Sequence, residues 1–152
     1  CMAIWTYCRI VDGLLDATVL AYRSTKSLRA DRRALVKDAE IRTNSLIEAC
    51  LTDSIKAGLM AKVNTYLLAY QMVTFAHSWA LKNWSLGERY ALPEYVSEGI
   101  KLLVEPFLTD KGQRVLDAMR KRTRSFGALE APPATRKAAG KQAEAKTRKR
   151  RT

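Results

Sequence analysis

Residues 61–84 read AKVNTYLLAYQMVTFAHSWALKNW, and the ten residues from Phe75 to Trp84 hold a phenylalanine, two tryptophans and the chain's only histidine. The polar residues Gln71, Thr74, Ser78 and Lys82 recur at helical spacing and form one narrow stripe. Almost everything else is apolar or aromatic. A helix that is apolar nearly all round is buried on most sides. One helix of a small domain is not easily encircled by its own chain, so a second molecule is expected to cover part of it.

The flanking segments read as helices too. Over Met2–Tyr22, Ile4, Cys8, Val11 and Leu15 follow one stripe, with Tyr7 and Leu14 beside it. A second helix is expected from an N-cap at Asp31 to about Ala57. Its apolar side is read as Leu35, Ala39, Leu46, Cys50 and Leu51 with Ile47 and Ile55, and Gly58 is its left-handed cap. The third runs from about Ala61 to Trp84. SLGERYAL (85–92) reads as a turn, and Pro93 opens a fourth helix that ends near Leu108, with Pro106 as the stop. Gly99 inside that helix implies close approach of a neighbour, since glycine costs roughly 1 kcal/mol against alanine there. The fold class is all-α, an antiparallel bundle of about four long helices. Residues 1–109 form the domain, 110–126 a basic amphipathic extension, and 127–152 a basic tail poor in apolar residues.

The chain has 152 residues and a formal net charge of +12. That length suits one domain with a real core. The charge is unevenly placed. Residues 1–110 hold 13 Lys/Arg against 12 Asp/Glu, residues 111–127 six against one, and residues 128–152 eight against two. The run Arg148, Lys149, Arg150, Arg151 is suited to non-specific contact with nucleic-acid phosphates. No aromatic is interleaved with it, so base stacking is not indicated. A solubilising tail is the plainer reading of the same run. Cys1, Cys8 and Cys50 have neither metal nor disulfide-framework spacing and read as reduced thiols of a cytoplasmic protein. The most apolar run, 66–81, is interrupted by Gln71, Thr74, His77 and Ser78 and falls short of a membrane span.

Little in the sequence is catalytic. It contains no phosphate loop, zinc spacing, paired carboxylates or nucleophile–base pair, so the chain reads as a non-enzyme with no cofactor and no metal. His77 is a hydrogen-bonded core or pocket residue before it is a base. Trp5, Tyr66, Tyr70, Phe75 and His77 are candidates to line an apolar ligand site with a few polar anchors. Plain core packing also accounts for aromatics at this spacing.

The stretch YQMVTFAHSWALKNWSLGERYALPEYVSEGIKLLVEPFL (70–108) resembles the end of the C-terminal domain of TetR/AcrR-family transcriptional repressors. LAYRSTKSLRADRRALVKDAE (20–40) is similar to the middle of such domains. The resemblance covers about residues 1–108. It implies that the last two core helices pair with those of a second subunit in a four-helix dimer seam. Trp79, Trp84, Tyr95, Val96, Ile100, Leu103 and Phe107 would lie in that seam, with a cavity for a small hydrophobic effector on the other side. The family's N-terminal helix-turn-helix head, which reads operator DNA, has no counterpart in 1–152. The chain begins at Cys1 inside an apolar-periodic segment, so it is expected to be the sensing and dimerising part of a regulator. The alternative is a standalone helical interaction module that binds nucleic acid non-specifically through its basic C-terminus.

Overall fold

The computed structural model describes residues 1–127, with side chains placed through Arg122. The described residues are all-α, with seven helices: α1 (Met2–Gly13), α2 (Leu15–Ser24), α3 (Ala30–Lys56), α4 (Thr65–Leu81), α5 (Asn83–Arg89), α6 (Leu92–Leu103) and α7 (Asp110–Gly127). Short 3₁₀ turns occupy Thr25–Ser27 and Glu105–Phe107. The chain divides into two compact units, Cys1–Leu116 and Asp117 onward. The core lies in the first.

The expected four helices are split at three places. Leu14, at φ −130° and ψ 34°, breaks the first into α1 and α2. Lys82, at φ −120° and ψ 22°, ends α4 at Leu81. The residues after it, read as a turn from the sequence, instead continue as α5. Val104 ends α6, and Pro106 lies in the 3₁₀ turn that follows. Two starts also move. The N-cap position of α3 is Arg29, and Asp31 lies in the first turn, ion-paired to Arg29 at 3.0 Å. Helix α4 begins at Thr65 because Asn64 caps it, its side chain accepting from the Leu67 N–H at 3.0 Å. Gly58 does close α3 in the left-handed region, at φ +68°. The Leu59 N–H reaches back to the Ser54 carbonyl at 2.9 Å, the long bond of a Schellman cap.

Helix α4 is central and packs against α1, α2, α3 and α6. Leu68, Met72, Val73 and Ala76 meet Ile4, Cys8 and Val11 of α1 and Ile47 and Leu51 of α3 in one core. Its own chain therefore supplies most of the cover that the sequence assigns to a second molecule, because α2 and α6 add two more surfaces against it. Leu67, Gln71 and Thr74 remain exposed along its open side. The inward stripe of α3 keeps Ile47, Leu51 and Ile55 of the expected side and adds Asn44. Asn44, Ile47 and Leu51 are buried, whereas Leu35, Leu46 and Cys50 are exposed.

Two close approaches fix the C-terminal half. A Cβ on Gly99 would stand 2.3 Å from the Phe75 ring, so α6 presses its glycine onto that ring. A Cβ on Gly112 would stand 1.9 Å from the Leu59 carbonyl oxygen. Around that second approach, residues 57–61 clasp 107–112. The Ala61 N–H donates to the Phe107 carbonyl at 2.8 Å, the Thr109 N–H to the Leu59 carbonyl at 3.1 Å, and the Lys111 ammonium to the Ala57 carbonyl at 2.8 Å.

Candidate functional site

His77 stands on α4 with a tyrosine at each ring nitrogen. The Tyr7 hydroxyl of α1 lies 2.6 Å from Nε2, and the Tyr22 hydroxyl of α2 lies 2.8 Å from Nδ1. Burial lowers the His77 pKa from its ordinary value, and the nearby Glu40 carboxylate of α3 opposes that effect. The ring is therefore neutral near pH 7. A neutral imidazole has one donor nitrogen and one acceptor nitrogen. One tyrosine must then donate to the ring while the other accepts from it. The accepting tyrosine keeps a hydroxyl proton to offer elsewhere. Burial pushes Tyr7 up to about 12, with Tyr22 and Glu40 adding to the rise, so its proton stays in place.

Four helices thus contribute polar groups at one place in an otherwise apolar bundle. Elsewhere on α3, one turn beyond Glu40, Asn44 lies on the inward stripe. It is 4% exposed. Its amide nitrogen donates to the Glu40 carbonyl at 2.9 Å, while its Oδ1 is buried with no hydrogen-bond partner. An unmet buried acceptor costs roughly 1–3 kcal/mol, so this oxygen favours any donor that reaches it. Among the described residues no three His, Cys, Asp or Glu side chains come together as a metal site.

Only part of the expected ligand set gathers here. Tyr66 and Tyr70 share the His77 side of α4 by helical register, and their rings meet at 5.0 Å. Phe75 stands apart from His77. It lies two residues from His77 and hence on the opposite side of the helix, stacked on Tyr95 at 4.2 Å and under Gly99. Trp5 is half-buried against the core, on a different side of α1 from Tyr7. Tyr22, Glu40 and Asn44 are absent from the set read from the sequence. Of these, Asn44 alone carries a usable signal, as a polar residue one turn before Ile47 and Leu51.

The expected seam residues divide as well. Trp79 is 4% exposed, Tyr95 7% and Val96 1% within a single chain. Trp79 donates its indole N–H to Asp12 at 2.7 Å, and the Tyr95 hydroxyl donates to the Phe75 carbonyl at 2.8 Å. Within the single chain these three belong to the core, where α1 and α4 occupy their surroundings. Ile100, Leu103 and Phe107 are half-buried against that core. Trp84 is 74% exposed and Leu102 69%. Arg148, Lys149, Arg150 and Arg151 lie outside the described residues. No helix among the described residues is long and apolar enough to cross a membrane.

The chain is 58% identical over 133 residues to the HTH-type transcriptional regulator HbdR of Aromatoleum sp. (strain CIB). The match takes in 88% of this chain and 57% of that protein, so the chain spans little more than half the length of this curated relative. No family model matches the chain, and no solved structure does.

Proposed function

We propose that the chain is the effector-sensing, self-associating part of a TetR/AcrR-type regulator that controls DNA-templated transcription in the cytoplasm. Ligand occupancy would be passed to a helix-turn-helix head lying outside residues 1–152. The similarity to a transcriptional regulator supports the general class. The observation that carries the sensing role is His77, which ties α1, α2 and α4 through two hydroxyls.

Helix α2 has no fully buried residue and is held to the core by Leu15, Val19 and the Tyr22–His77 hydrogen bond. A small molecule with an apolar body and one polar group, competing at this pair, changes how α2 is held. Such a ligand shifts a population between two arrangements by its differential affinity for them. The partner in this reading is a second copy of the chain. It would meet the open side of α4 and the outward residues of α6 and α5, where Leu67, Leu102 and Trp84 are exposed.

The test is a thermal-shift screen of small apolar acids, esters and aromatic compounds on the whole chain. Binding at a hundredfold excess over Kd stabilises by about 2.7 kcal/mol. A hit that raises the Tm of the native chain and not of His77→Leu supports the reading. A hit that raises both equally places binding elsewhere and sinks it. Sedimentation provides the second arm. The native chain is expected to run as a dimer, and Trp84→Glu with Leu102→Glu as a monomer.

A further inference from the structure

Helix α3 turns one side to the core and leaves a second apolar line in solvent. Leu35 is 56% exposed and Leu46 70%, and Ala39 and Cys50 are exposed with them. At 3.6 residues per turn these four stand along one line of the helix, on a different side from the buried Ile47 and Leu51. Arg32 closes the line at one end and Asp53 at the other, both exposed. The whole line lies within the first compact unit. It is complementary to itself when reversed. Set antiparallel against a second α3, with a two-fold axis between residues 42 and 43, Arg32 faces the partner's Asp53, Leu35 faces the partner's Cys50 and Ala39 faces the partner's Leu46. Opposite charges then meet at both ends, and inside them a large side chain meets a small one. We infer that this line is a self-association surface on which a second copy of the chain docks α3 against α3. It is separate from the face of α4, α5 and α6 described above, and it does not depend on the sensing role.

Three observations select a second copy as the occupant. The match in charge and size is the first, since a two-fold contact uses the same patch on both sides and must fit itself. Spacing is the second. Arg32, Ala39, Leu46 and Asp53 recur every seven residues, the period at which two helices stay in contact along their length. From Arg32 to Asp53 that contact runs about 30 Å. The third counts against a lipid surface, which takes a helix with aromatic anchors on its apolar face. Helix α3 has no aromatic residue. Arg42 stands at the edge of the line beside the axis, where its two copies would be neighbours. Asp38, one turn away on the same edge, gives each a counter-charge. Asp53 is paired within the chain to Lys56 at 3.6 Å, and both side chains are exposed, so little holds its carboxylate back from Arg32 of the other copy. One helix pair is at the small end of specific interfaces, so the association is weak and depends on concentration.

The experiment traps the contact as a disulfide in the whole chain. Cys1→Ser removes the other exposed thiol. In that background Leu35→Cys sets a thiol opposite the partner's Cys50, and diamide oxidises the two thiols to a disulfide. On one helix, positions 35 and 50 stand about 22 Å apart, so a bond between them joins two chains. The expected product is a covalent dimer on a non-reducing gel, with peptide mass mapping assigning the bond to positions 35 and 50. Ile41→Cys, exposed on another side of α3, is the control and is expected to crosslink far less. Adding Leu46→Glu to Leu35→Cys should remove the product. Adding Arg32→Glu instead should reduce it, and Asp53→Arg on top of that should restore it. Far-ultraviolet circular dichroism checks that every variant stays folded. No covalent dimer from Leu35→Cys overturns the proposal. Equal yields from positions 35 and 41 report random collision and overturn it too. A bond between two copies of position 35, or a yield that survives Leu46→Glu, means a different contact and likewise overturns it.

Discussion

The indole nitrogen of Trp79 donates to the carboxylate of Asp12 at 2.7 Å, joining α4 to α1 across 67 residues of sequence. Trp79 is buried and Asp12 is exposed, so the tryptophan depends on this acceptor more than the aspartate does on its donor. Replacing Asp12 by Ala is expected to destabilise the chain by roughly 1–3 kcal/mol, the cost of leaving a buried donor unmet. Asp12→Asn keeps an acceptor oxygen and should recover most of that stability. Urea unfolding followed by Trp79 fluorescence measures both. Equal destabilisation in the two variants would show that the hydrogen bond is not what matters.

His77 predicts a dependence on pH. Its folded-state pKa lies below its ordinary value because burial disfavours the charged ring. The unfolded chain then takes up the proton more readily, and stability rises with pH through this interval. The contribution is present above the unfolded value, about 6.5. It is lost as pH falls from there through the folded value. Tm should accordingly drop between pH 7 and pH 5. His77→Gln, which cannot take up a proton, should flatten that part of the profile. The same slope in native and variant would contradict it.

Glycine to alanine separates the two close approaches. At Gly99 the obstacle is the Phe75 ring, which can shift only by disturbing its stacking on Tyr95. Overpacking of this kind costs about 1–3 kcal/mol. At Gly112 the obstacle is a backbone carbonyl, which has no rotamer to escape into. Gly112→Ala is therefore expected to lower Tm more than Gly99→Ala and to release the clasp between 57–61 and 107–112. Hydrogen exchange at the Thr109 and Ala61 amides reports that release.

The thiols should react unequally. Cys1 and Cys50 are exposed, whereas Cys8 is buried and burial pushes it up to about 12. The thiolate is the reactive form. A maleimide at neutral pH is expected to modify Cys1 and Cys50 within minutes in the native chain and Cys8 only after unfolding. Peptide mass mapping distinguishes the three sites. Rapid native labelling of Cys8 would mean that α1 detaches from the core.

The all-α class, the stripe of α1, the left-handed Gly58, the close approach at Gly99 and the uneven charge were legible in the sequence. Each depends on neighbours within a turn or two or on composition, so residue order alone determines it. Three other features needed the packing: which of the apolar residues of α3 turn inward, the side of α4 that Phe75 takes, and the burial of Trp79, Tyr95 and Val96 within the single chain. Along α3, apolar residues occupy several registers. Only packing against α1 and α4 selected the one with Asn44, Ile47 and Leu51. The pairing of Tyr7, Tyr22 and His77 was out of reach for the same reason. Those tyrosines stand 70 and 55 positions from the histidine, and no local periodicity carries a pairing over that span. It exists because the chain breaks at Leu14 and α2 packs on α4, a placement that depends on contacts between helices far apart in the sequence.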